Sequence, residues 1–199
     1  MKCIVTGFEA FEGVDRNPTE EIVRELPPSM NGVELLPVIL PVEYGVVERM
    51  VTAELYSAAD AVFMLGAAGE AEFGRLEVQA FNWCQSEVAD NCGLVESGRL
   101  INPLVAAGSP RLSPVAVDKL LDGISDSPMP WRRSEDPGRF VCNDSYYRML
   151  ERAEKREGRC PTLFVHIPVP GRNDSVWELK TISESVSLLL AQFLDSISH

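Results

Sequence analysis

Residues 141–168 read VCNDSYYRMLERAEKREGRCPTLFVHIP. Tyr146, Met149, Leu150 and Ala153 fall on one stripe with Arg148, Glu151, Arg152, Lys155 and Arg156 around it, which predicts an amphipathic helix over 141–157. Residues 162–167 (TLFVHI) are a short apolar run closed by Pro168, the pattern of a buried strand. A helix feeding such a strand is half of a parallel crossover, and the same alternation recurs upstream. Residues 2–7 (KCIVTG) and 61–65 (AVFML) are strands that run into a glycine; 33–40 (VELLPVIL) is a strand that Pro37 assigns to an edge or a bulge. Residues 75–82 (RLEVQAFN) alternate like a half-buried strand. Between the strands, Asn17 caps a helix that Pro18 opens and Glu20 can complete as a capping box. Helical patterns follow at 43–58, at 114–124 with Ser113 as cap, and at 176–195. Residues 97–112 form a loop, and 128–140 a short strand and then a loop. The order predicts an α/β fold, a three-layer αβα sandwich around a mostly parallel sheet.

Composition narrows the function. A chain of 199 residues without a repeat or linker is expected to form a single domain over 1–199. Its 18 Lys and Arg against 30 Asp and Glu give a net charge of −12, which disfavours nucleic acid and anionic membranes as partners. The N-terminus offers no signal segment, and five scattered cysteines without a CxxC pair suit a reducing, cytoplasmic compartment. Five scattered thiols and two histidines so far apart make no zinc pattern, so a structural zinc is not expected.

In a parallel sheet, ligands gather where strands give way to loops at their carboxyl ends. The helix from Cys142 runs back about 24 Å at ~1.5 Å per residue, and strand 162–167 returns about 20 Å at ~3.3 Å per residue. His166 therefore comes to the same sheet edge as Cys142, together with Phe8 and the loop after Leu65. A thiol at a helix N-terminus meets unpaired N–H groups that favour thiolate, although Asp144 opposes this. Two readings stand for Cys142, a nucleophile or a small buried residue. Cys3 and Cys160 suit the second, and Cys84 and Cys92 flank a turn with no imidazole assigned. His166 is either a core histidine or a group that does chemistry; its place at a strand end favours chemistry. His199 ends the sequence and is expected to fray. Glu77 falls on the polar side of an alternating run, the pattern of a solvent-exposed residue. Gly7-Phe8-Glu9-Ala10-Phe11-Glu12-Gly13 is too bulky for a phosphate loop; Phe8 and Phe11 either flank a small flat ring or pack locally.

Several motifs, in order, carry a family resemblance: Thr6-Gly7-Phe8-Glu9-Ala10-Phe11, Asn17-Pro18, Glu77-Val78-Gln79-Ala80-Phe81-Asn82, Asp90-Asn91-Cys92-Gly93, Gly138-Arg139-Phe140-Val141-Cys142-Asn143 and Phe164-Val165-His166-Ile167-Pro168. Together they resemble pyroglutamyl peptidase, the pyrrolidone-carboxylate family of cysteine peptidases. The resemblance implies a phosphorylase/hydrolase-like fold and a Cys-His-Glu triad at Cys142, His166 and Glu77. It further implies a ring pocket at Phe8, Phe11, Phe140 and Val141, a small peptide substrate with a blocked N-terminus, acyl transfer that needs no metal or nucleotide cofactor, and a homo-oligomer, dimer or tetramer. One segment departs from the pattern. Where the family usually shows a Gln-Ala-Gly-Gly-Arg-like loop, this chain has Ala67-Ala68-Gly69-Glu70-Ala71, with Arg75 and Arg139 available to restore charge. Two alternatives follow, a cysteine hydrolase of the same fold with a shifted substrate and a non-catalytic peptide-binding homologue.

Overall fold

The computed structural model describes residues 1–11, 13–172 and 176–198; Glu12 of the first loop and His199 lie outside them. In chain order the elements are β1 (Lys2–Phe8), α1 (Pro18–Glu25), β2 (Ser29–Met30), β3 (Val33–Leu40), α2 (Val46–Met50), α3 (Ala53–Ala58), β4 (Ala61–Ala68), β5 (Gly74–Glu77), β6 (Gln79–Phe81), β7 (Pro110–Leu112), α4 (Val117–Gly123), β8 (Trp131–Ser134), α5 (Val141–Lys155), β9 (Thr162–Pro168) and α6 (Leu179–Ile197). Seven strands form one sheet in the order β2-β3-β1-β4-β9-β5-β8, and β6 pairs with β7 apart from it. β3, β1, β4 and β9 run parallel, while β5 and β8 run against them. The mixed, mostly parallel αβα sandwich is the architecture the sequence predicts.

Both faces of the sheet are covered, which is why its central strands are apolar on consecutive residues rather than alternating. On one face Val5, Phe63, Leu163, Val165 and Ile167 pack under α1, α4 and α6, and α6 supplies Ile182, Val186, Leu189, Leu190, Phe193 and Leu194. On the other, Ile4, Phe8, Val62, Met64 and Phe164 pack under α2, α3 and α5. Each such side chain stabilises the sandwich by roughly 1.5–3 kcal/mol when fully buried. The period of two then sends His166 to the same side as Phe164, towards α5.

Four local expectations need correction. The predicted 43–58 helix breaks at Val51, whose buried side chain ends α2, and Thr52 then caps α3 by accepting from the Leu55 N–H. The 75–82 run is two strands rather than one, because the Val78 N–H donates to the Ser134 carbonyl and its own carbonyl accepts from Ser113. Ser113 does not cap α4; its hydroxyl accepts from the Val115 N–H and donates to the Thr162 carbonyl. Glu20 pairs with Arg24 instead of closing a capping box, although Asn17 does cap α1 by accepting from the Thr19 N–H. Pro37 meets its edge expectation, since β2 pairs only with Val33 and Glu34 and leaves the outer side of β3 at Pro37 without a strand.

Candidate active site

Two loops and one helix start converge where β1, β4 and β9 end. α5 begins with Phe140 as N-cap, so Cys142 lies in its first turn, where backbone N–H groups have no intrahelical acceptor. Asn143, fully buried, fixes that turn: its side-chain oxygen accepts from the Phe81 N–H at 2.8 Å, and its nitrogen donates to the Phe81 and Trp83 carbonyls, each at 2.9 Å. Asp144 points elsewhere. Two residues along the helix from Cys142, it accepts from Arg148 at 3.0 Å and the Gly45 N–H at 2.8 Å, with Arg99 at 3.7 Å, so its charge is compensated there.

His166 is buried near the end of β9, and Glu77, fully buried at the end of β5, holds its Nδ1 at 2.8 Å. Cys142 and His166 line the same cavity, and the thiol's interaction with the imidazole favours the charged ring. Burial works against charge on this ring, yet the bonds to Cys142 and Glu77 and the negative charge of both outweigh it and push its pKa up to about 9. Gly66 sits beside His166 in the sheet register, and a Cβ there would meet the Phe164 ring at 2.7 Å and His166 Cδ2 at 3.0 Å; only a bare backbone leaves the imidazole its place. Phe164 in turn packs between His166 and Tyr146, whose hydroxyl donates to the Glu77 carbonyl at 2.9 Å.

Glu77 corrects the exposed position that its pattern suggests. Alternation shows which residues share a face, not whether the face is covered, and here Glu77 is enclosed by His166 of β9 and Tyr146 of α5. The remaining thiols are placed apart from the imidazole. Cys3 and Cys160 are buried, Cys84 is buried against Asp144, and Cys92 is exposed. Burial, then the charge of Asp144, pushes the Cys84 thiol far up.

Phe8, Phe11, Phe140 and Val141 come together with Val42, Asn17, Ala67 and Cys142 around a recess of about 30 Å³. Phe8 is held there because its N–H donates to the Thr19 hydroxyl of α1. The recess meets a larger cavity of about 460 Å³, lined by Cys142, His166, Ala67 and Ala68 at the end of β4, Gly69 and Glu70 of the loop after it, the segment Asp136 to Gly138, Arg75 and Arg172. Arg139 is not among its walls; it pairs with Asp136 at 2.6 Å and stacks 4.0 Å over Phe81. Arg172 was not singled out from the sequence. Its signal was available, since it follows the strand that carries His166 and so belongs to the same edge.

A thiol, an imidazole and a carboxylate gathered beside an open cavity at a parallel sheet's edge are the equipment of a cysteine-type hydrolase. Residues 1–189 match the family described as pyroglutamyl peptidase. The pyrrolidone-carboxylate peptidase of Enterococcus faecalis is 31% identical over 170 residues, covering 84% of this chain and 78% of that protein. That of Thermococcus onnurineus is 29% identical over 169 residues, 84% of each. The crystal structure of pyrrolidone carboxyl peptidase from Fervidobacterium islandicum matches with a TM-score of 0.87 at 27% identity, over 98% of this chain and 99% of that one. The Pyrococcus furiosus structure shares the fold, with a TM-score of 0.88 at 22% identity over 99% of this chain and 100% of that one. The chain belongs to the pyroglutamyl peptidase family and is a cysteine-type peptidase. No helix among the described residues is long and apolar enough to cross a membrane.

Proposed function

We propose that this chain, as one catalytic domain, removes an N-terminal pyroglutamyl residue from peptides through Cys142, His166 and Glu77. The observation that carries the reading is the imidazole of His166, held by Glu77 at 2.8 Å and lining one cavity with Cys142. The lactam ring packs at the mouth of the apolar recess of Phe8, Phe11, Phe140 and Val141, where it opens on the larger cavity, and its N–H and C=O need hydrogen-bond partners once buried. Cys142 Sγ attacks the pyroglutamyl carbonyl carbon as His166 Nε2 takes its proton, and the π pair moves to oxygen. The free N–H groups of the first turn of α5 stabilise that oxyanion. Collapse breaks the C–N bond, and Nε2 returns its proton to the leaving amine. Neutral His166 then takes a proton from water as it attacks the thioester, and returns that proton to sulfur as the C–S bond breaks, releasing the acid and the thiol. Glu77 fixes the imidazole's orientation and stabilises its cation throughout.

A pyroglutamyl-coumarin reporter should be cleaved, and Cys142→Ser or iodoacetamide should abolish cleavage. Turnover that survives loss of Cys142 would exclude the thiol mechanism, and alkylation of Cys142 no faster than of Cys84 would remove its activation. A second reading has a specific observation in its favour: Ala67, Ala68, Gly69 and Glu70 line the cavity where the family usually places an amide and a guanidinium. Failure of folded, reduced protein to cleave the reporter, with Cys142 still reactive, selects a hydrolase of another cyclic amide or blocked N-terminus.

A further inference from the structure

The recess and the larger cavity share Phe11, Ala67, Phe140 and Cys142, so the two hollows meet at the sulfur. A charged group buried among Phe8, Val42 and Val141 would cost several kcal/mol, so the uncharged acyl ring takes the mouth of the recess. Whatever follows the scissile bond then occupies the larger cavity, whose volume lies within the ~300–1,000 Å³ of small-ligand sites.

Two guanidiniums line that cavity, in a chain whose net charge is −12. Arg75 pairs with His166 across the β5/β9 register, and its side chain is one third exposed (33%). Among the described residues its buried Nε has no hydrogen-bond partner; Glu77 Oε1, already bonded to His166, is 3.9 Å away. A buried donor left unpaired is costly, and an incoming acceptor removes the cost. Arg172 is propped by backbone: Nη1 donates to the Gly13 carbonyl at 3.2 Å, and its Nε lies 3.2 Å from where a Cβ on Gly69 would be. Among the described residues Arg172 makes no ion pair. Of the two acids among the described residues on the walls, Asp136 is engaged by Arg139 and by the Gly138 N–H, while Glu70 is exposed. An exposed carboxylate is screened by water and salt far more than a group inside the cavity.

We propose that Arg75 and Arg172 form a carboxylate-binding subsite on the leaving-group side of Cys142, so that the enzyme prefers substrates with a carboxylate immediately after the released acyl residue. The proposal rests on Cys142, His166 and Glu77 being the reacting centre. The carboxylate is either the side chain of an acidic residue or the free C-terminus of a dipeptide, and two substrate pairs separate these sources. Pyroglutamyl-glutamate amide is compared with pyroglutamyl-glutamine amide, and pyroglutamyl-alanine with pyroglutamyl-alanine amide. In low salt, the carboxylate member of at least one pair should have a kcat/KM about tenfold higher, mainly through KM, as charge-assisted bonds give. The ratio should fall towards one in Arg75→Gln, in Arg172→Gln and in 0.5 M salt, and be partly kept in Arg75→Lys. Ratios within twofold in both pairs, or ratios that neither substitution nor salt changes, overturn the subsite. Arg172→Gln and the salt titration of the unaltered enzyme decide if Arg75→Gln does not fold. A second measurement needs no turnover: pyroglutamyl-glutamate should protect Cys142 from neutral iodoacetamide better than its diamide, and equal protection also overturns the subsite. An enzyme that cleaves none of the four but shows this differential protection contradicts the proposed reaction and leaves the subsite standing.

Discussion

Replacing Glu77 with Gln keeps the shape of the buried His166 partner and removes its charge. The Nδ1 to Oε1 bond of 2.8 Å joins side chains that are 5% and 0% exposed, so little solvent screens it. A hydrogen bond to an ionised partner contributes ~1.5–3 kcal/mol, against about 1 for a neutral pair, so the substitution withdraws ~1–2 kcal/mol from the imidazolium. At 1.36 kcal/mol per pH unit, that lowers the His166 pKa from about 9 by roughly one unit. The Gln amide can also turn its NH₂ towards Nδ1, which forces the remaining proton onto Nε2 and leaves neutral His166 with no lone pair facing water in deacylation. The two effects together predict a fall in kcat of ~10²–10⁴, the range that follows loss of a triad carboxylate. The assay is kcat/KM for the coumarin reporter from pH 5 to 10.5, with Cys142 alkylation measured in parallel and thermal unfolding as a check on the fold. The alkaline limb reports loss of the imidazolium as pH rises through about 9, and it should move down in the variant. Activity within threefold of the parent, with that limb unmoved, would refute the role assigned to Glu77.

Gly66→Ala should lower kcat/KM at least tenfold, because the new methyl meets Phe164 and His166, while costing ~1–3 kcal/mol of stability as overpacking does; full activity would show that the imidazole can shift without loss. Asn143→Ala leaves the Phe81 N–H and the Phe81 and Trp83 carbonyls without their partner, and should lower stability by ~2–4 kcal/mol and slow Cys142 alkylation; denaturant titration checks the first. The His166 contribution to stability is full below its unfolded value near 6.5 and is lost as pH rises through about 9, since the native state retains a proton that the unfolded chain has released. Cys3 and Cys84, pushed up chiefly by burial, add to the alkaline loss, so a thermal midpoint that stayed flat from pH 6.5 to 10 would contradict both.

The layers were legible because α5 and β9 follow simple periods: stripes three and four apart, then an unbroken apolar run. The meeting of Cys142 with His166 followed from element lengths alone, since a helix and a parallel strand must return the chain to one edge. Glu77 was not legible from its pattern, because a polar residue on an alternating strand looks the same under water or under a helix. The family resemblance singled it out instead. The break at Val78 depends on partners 35 and 56 residues away, Ser113 and Ser134, and no local period carries that. Arg172 escaped notice because it belongs to no motif and reaches the cavity only through the loop after β9.

β4 and β5 are consecutive in the main sheet's chain order, yet β9 lies between them. The five residues 69–73 bridge two strand spacings, about 10 Å, past the end of a strand synthesised much later. A growing chain therefore leaves the ribosome with β4 and β5 on either side of a vacant slot, their pairing edges open to unwanted partners. Cys142 also emerges before His166. Until β9 inserts, the sulfur has neither the imidazole nor the buried carboxylate behind it, so in the proposed mechanism the last central strand to be made is also the one that arms the thiol.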